Sequence, residues 1–129
     1  MIASVKTADG VALVDLDDET LVALDRHVPF APSPPPPVSL PRLVAAASAG
    51  STIVAVVDAK PPLAVSHDAG RTWRESGRGL PRGRAVAVST ENPDIVLYAT
   101  RNRLHLSRDG GRFWRSLPVE LPEIEAVAF

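Results

Sequence analysis

The sequence predicts an all-β chain built from repeated units of four short strands, and three observations predict it. An eight-residue pattern occurs twice, as Ser66-His67-Asp68-Ala69-Gly70-Arg71-Thr72-Trp73 and as Ser107-Arg108-Asp109-Gly110-Gly111-Arg112-Phe113-Trp114, with a spacing of 41 residues. A fixed period near 40 is the mark of units that bury their apolar faces against their neighbours. Short Val, Ala, Leu and Ile runs are cut by Gly, Pro, Asn and Asp clusters, the pattern of strands and turns. Thirteen prolines, and no long run with apolar residues at i, i+3 and i+4, argue against a helical bundle.

Shifting the chain by 41 aligns more than the two motifs. Each unit reads as strand a (43 to 48, 84 to 89), strand b (53 to 58, 94 to 100), strand c (63 to 66, 104 to 107) and strand d (72 to 75, 113 to 117). Gly50-Ser51 and Asn92-Pro93-Asp94 mark the a to b turns. Four strands per unit make the blade of a β-propeller. A further step of 41 carries Ala85 to Val88 onto Ala126 to Phe129, an a strand with nothing after it. Placing Met1 on Asp94 supplies the missing b, c and d: Ile2 to Thr7 is a b strand, and Val11 to Leu24 a hairpin in which Val14, Leu16, Asp18 and Leu21 fall on Ser107, Asp109, Gly111 and Trp114. The prediction is therefore three blades in one domain of 129 residues. Blade one is composite (1 to 27 plus 123 to 129), blade two is 42 to 80, and blade three is 81 to 122. Between blades one and two, residues 28 to 41 contain Pro34 to Pro37 and read as a stiff, exposed, extended loop.

Closed propellers generally need four to eight blades. The expectation is a two-fold homodimer of six blades, in which Ala126 to Phe129 pairs with Ile2 to Thr7 of the partner. Net charge is −1 and cysteine is absent, so nucleic acid and anionic membrane are not expected partners, and no disulfide or thiolate site exists. No segment has the form of a signal peptide or a membrane span, which leads to the expectation of a soluble cytoplasmic protein.

The repeated motif reads as a hairpin turn that satisfies its own polar groups. Ser66 and Asp68 can bond the turn backbone, Gly70 can take a positive φ, Thr72 adds a hydroxyl, and Trp73 carries a large apolar ring into the gap between sheets. Ser107, Asp109, Gly111 and Trp114 repeat these roles, with Phe113 in place of threonine. Ser-x-Asp-x-Gly-x-Thr-Trp resembles the Asp-box, or BNR repeat, of sialidase-like β-propellers. The resemblance implies that the boxes join the third and fourth strands on the face opposite the ligand-binding face. It implies architecture rather than activity.

Enzyme chemistry is not expected. A sialidase-like site would need an arginine triad and a Tyr/Glu nucleophile pair; the one tyrosine, Tyr98, lies inside a strand run. His27, His67 and His105 show no ligand spacing, and no metal or other cofactor is expected. The b to c loops and d to a crossings hold Lys60, Arg84, Arg101, Asn102 and Arg103, with Arg42, Arg82 and His27 nearby. Guanidinium forks suit oxyanions, so these residues form the candidate binding set for a carboxylate or carbohydrate. Glu123 and Glu125 are the acids placed to compensate them. The leading reading is a non-catalytic binding or scaffold module; the alternative is a glycoside-acting hydrolase with an unfamiliar site.

Overall fold

The computed structural model describes all 129 residues and contains twelve strands. They are β1 (Ile2–Thr7), β2 (Gly10–Asp15), β3 (Thr20–Asp25), β4 (Leu43–Ala49), β5 (Thr52–Val57), β6 (Leu63–Ser66), β7 (Arg74–Ser76), β8 (Ala85–Val88), β9 (Val96–Ala99), β10 (Arg103–Ser107), β11 (Arg115–Glu120) and β12 (Ile124–Ala128). These form three antiparallel sheets of four, in the orders β12-β1-β2-β3, β4-β5-β6-β7 and β8-β9-β10-β11. Each sheet thus runs a-b-c-d as the repeat predicts. No helix is long and apolar enough to cross a membrane.

Burial shows how the blades stack. Strands β8 and β9 are buried at every position, the state of strands with both faces covered. Strand β3 is exposed at every position and most of β4 is exposed or half-buried, so the two other sheets lie at the ends of the stack. Strand β8 packs on β4 on one side and on β12 on the other, which gives the order blade two, blade three, blade one. The result is an open, propeller-like arc of three blades.

Two apolar seams hold the arc. Between blades two and three, Val54, Val56, Leu63 and Val65 meet Val86, Val88, Val96 and Tyr98. Between blades three and one, Leu97, Leu104, Leu106 and Leu117 meet Ala3, Val5, Val14, Leu16, Ile124 and Val127. Each fully buried side chain of this size contributes about 1.5–3 kcal/mol by transfer from water.

The composite blade forms within the chain: strand β12 pairs with β1, through Ser4 with Ala128 and Val5 with Val127. The proline-rich connection is long enough to allow it. With blade one at one end of the arc and blade two at the other, the segment between β3 and β4 must cross the concave side. At about 3 Å per residue in extended proline-rich backbone, its length reaches on the order of 50 Å. The segment is also less free than the sequence suggests. Pro32, Ser33 and Pro34 line a 220 Å³ hollow with the inner strands β4, β8 and β12, and Pro36, Val38 and Leu40 are half-buried.

Ladder registers refine the equivalences. Ile53 lies opposite Ser66, Val96 opposite Ser107 and Ala3 opposite Val14, so Ile53, Val96 and Ala3 correspond. The 41-residue frame sets Ile53 near Ile95, one place off. A bulge in the β2–β3 ladder shifts the last strand of blade one by one residue. Asp25, opposite Val11, takes the place that Ser76 holds opposite Leu63; the ungapped frame gives that place to Leu24.

Candidate functional site

The two boxes are closed hydrogen-bonded turns. In the first, the Ser66 hydroxyl donates to Asp68 Oδ1 (2.8 Å) and accepts from the Gly70 amide (2.8 Å). Asp68 accepts from the Thr72 amide (2.9 Å) and from the Thr72 hydroxyl at Oδ2 (2.6 Å). Gly70 sits at φ +90° and Gly111 at +89°, conformations that glycine reaches without strain. The second box repeats the frame: Ser107 donates to Asp109 (2.8 Å), and Asp109 Oδ1 accepts from the Arg112 and Phe113 amides (3.1 Å each). With Phe113 in place of threonine, Asp109 loses the hydroxyl bond, and the phenyl ring is 79% exposed.

These bonds tune the carboxylates. The Thr72 hydroxyl, with the Thr72 amide and Ser66, holds the Asp68 carboxyl down at about 2. At Asp109 burial pushes upward, but the Phe113 amide, Ser107 and the Arg112 amide outweigh it and the net shift is downward. A carboxylate saturated by turn donors is poorly suited to take up a proton in catalysis.

Trp114 shows what the box tryptophan does. Its ring lies against blade two, with Nε1 donating to Ser76 Oγ at 3.0 Å, and Ser76 in turn donates to the Gly111 carbonyl. Its ring centroid is 6.0 Å from that of Tyr98. Tyr98 is an interior residue, as its strand position implies: it is fully buried and donates to the Pro81 carbonyl at 2.6 Å. Burial pushes its phenol well above the usual range, and a group held protonated this way makes a poor nucleophile.

At the opposite end of the strands lie the b to c loops and d to a crossings. Arg84 pairs with Glu123 (2.7 Å), and Arg101 reaches the same carboxylate (3.8 Å). Arg103 pairs with Glu120 (3.2 Å), and the Asn102 amide donates to the Leu121 carbonyl (2.9 Å). These four residues tie the blade-three loop to the crossing that leads into β12. Glu125 pairs instead with Lys6 (3.8 Å).

Lys60 stands apart from them. It lines a 650 Å³ hollow on blade two together with Pro61, Pro62, Glu75, Arg78 and Arg82. Arg82 lies 3.4 Å from Asp58, while Lys60 and Arg78 form no ion pair within the chain. The structure therefore separates the five expected residues into a group of four, its three arginines shared between two glutamates, and one lysine with two arginine neighbours. Arg78 escaped the sequence reading, although its place in the same crossing as Arg82 was the available signal. The three histidines do not cluster, and no group of three His, Asp or Glu side chains is arranged to hold a metal ion.

The fold and its loops define an all-β, propeller-like arc of three blades whose loop end carries a cationic hollow. No protein-family model matches the chain, and no curated protein matches it. Among solved structures, the chain is similar to one described as the crystal structure of the Niastella koreensis GH74 enzyme, with a TM-score of 0.49 and 21% sequence identity. The likeness covers 92% of this chain and 17% of that one.

Proposed function

We propose that the chain is a non-catalytic binding module of the Asp-box propeller type, completed to six blades by a second copy, with an anionic ligand held at the loop end. The hollow on blade two carries this reading, since it gathers Lys60, Arg78 and Arg82 around 650 Å³ with only Arg82 partly neutralised. Guanidinium and ammonium groups in that arrangement suit a carboxylate or an acidic sugar. A glycosidase needs two carboxylates flanking the bond. Glu75 is the one acid lining the hollow, and the box carboxylates point to the other end.

The reading is tested by titrating uronic and sialic acids, citrate and neutral sugars into the protein while following amide chemical shifts. The expected result is saturable shifts for acids at residues 58 to 62 and 75 to 82, abolished in Lys60→Ala/Arg78→Ala. Shifts that survive that double substitution, or equal shifts with neutral sugars, would overturn it.

A further inference from the structure

The arc leaves one broad blade face without a neighbouring blade at each end, and the two faces are not alike. Blade two presents the side that its equivalent, blade three, turns toward the blade before it: Ala46, Ser48, Ile53, Ala55 and Trp73 take the places of Val86, Val88, Val96, Tyr98 and Trp114. Blade one presents the side that blade three turns toward the blade after it: Val11, Leu13 and Asp25 take the places of Leu104, Leu106 and Leu117. One end is the front of a blade and the other is the back. A second copy of the same chain therefore offers the matching face at both ends at once, and closure after six blades makes the two junctions identical.

Side chains at the seam agree with this. A Cβ built on Gly70 would lie 3.7 Å from Trp73 Cζ2, and one built on Gly111 lies 3.7 Å from Trp114 Cζ2, so the two boxes hold their rings alike. Only the second has a blade in front of it. The Cβ position of Gly111 is 3.0 Å from Val65 of blade two, whereas that of Gly70 meets only its own Ile53 and Trp73. Trp114 gives its N–H to Ser76, and the Trp73 indole makes no such bond. In blade three the Ser76 place is filled by Leu117, an apolar residue, and the blade after it carries Leu21 rather than a tryptophan in the box position. In blade one the same place is filled by Asp25, a hydrogen-bond acceptor, on the face that a tryptophan-bearing blade two would meet. An acceptor stands where a tryptophan arrives, and the apolar Leu117 stands where none does.

We infer that in the homodimer the Trp73 indole of each copy seats on blade one of the other, over Leu13, with its N–H on the Asp25 carboxylate, as Trp114 seats over Val65 on Ser76 within the chain. This rests on the six-bladed reading above and names the contact that closes it. Asp25 Oδ1 already accepts from the His27 amide at 2.8 Å, which fixes the carboxylate and leaves its other oxygen for the indole. Ile2 at 46% and Val22 at 59% exposure flank the blade-one face and are covered in the same step.

The test is sedimentation equilibrium on the full chain, with Trp73→Ala, Asp25→Leu and Asp25→Asn, each checked by circular dichroism for an unchanged fold. Central tryptophans anchor interfaces, so Trp73→Ala is expected to weaken the dimer at least about 30-fold. Asp25→Leu removes the acceptor and is expected to weaken it about 10-fold, while Asp25→Asn keeps an acceptor and stays within about threefold. In the Trp73→Phe background, Asp25→Leu should cost nothing further, because no N–H remains to be satisfied. A wild-type dimer whose affinity ignores Trp73→Ala and Asp25→Leu overturns this contact and leaves the six-bladed reading standing. A wild-type monomer overturns both.

Discussion

Replacing Ser76 with alanine removes a hydroxyl that serves two blades at once. It accepts the Trp114 N–H at 3.0 Å and donates to the Gly111 carbonyl, and its own side chain is only 8% exposed. Both partners lie in the seam between blades two and three, with Gly111 buried and Trp114 half-buried. An unpaired buried polar group costs about 1–3 kcal/mol; the carbonyl bears that in full, while the indole recovers part of it from water, giving a total of about 3 kcal/mol. For a chain of this size that lowers the melting temperature by about 10 °C. Guanidinium denaturation at one fixed protein concentration gives the value, and a cycle with Trp114→Phe isolates the pair. The coupling expected between Ser76 and Trp114 is about 1 kcal/mol. A Ser76→Ala cost below about 0.5 kcal/mol with no coupling would show that the box tryptophan does not bond across blades, and the seam reasoning would fail with it.

Gly83 lies against the Tyr98 ring so closely that an added Cβ would stand 1.9 Å from Cε1. Gly83→Ala should therefore destabilise by about 1–3 kcal/mol in chemical denaturation, with partial recovery on adding Tyr98→Leu. Phe113→Thr should raise the melting temperature by a few degrees in a calorimetric scan, since it restores the hydroxyl bond that Thr72 makes to Asp68 and removes an exposed ring. Acid should act in two stages. Burial, aided by Arg103, holds His105 below its usual value of 6.5, so the stability it provides at neutral pH is lost as pH falls below that value. Asp68, held at about 2 against 3.8 when unfolded, and Asp109, also lowered, contribute stability that is complete above about pH 4 and disappears as pH falls toward 2. A melting-temperature profile should show both stages in the wild type, and His105→Asn should remove the upper one.

Much of the fold was legible because the repeat leaves a record in spacing. Each blade needs a hairpin between its third and fourth strands, and the Ser, Asp and Gly that close it are chemically specific, so the boxes mark position along the chain. The composite blade followed from the same spacing. Which copy would supply β12 in a dimer is not in the spacing, because Val127 suits a place beside Val5 from either chain. Single-residue shifts were also hidden. The β2–β3 bulge moves Asp25 into the Ser76 place, and nothing in the run Thr20 to Asp25 announces it. At the loop end, charge was visible but pairing was not: Arg84, Arg101 and Arg103 find glutamates far along the chain, while Lys60 and Arg78 form no ion pairs.

We propose that three blades make half of a ring that a second copy closes. The mass of the full chain in solution tests it directly, by multi-angle light scattering across a dilution series. A species at twice the 13.7 kDa chain mass that persists to low micromolar concentration is the predicted result. A species that stays at the single-chain mass throughout would contradict it.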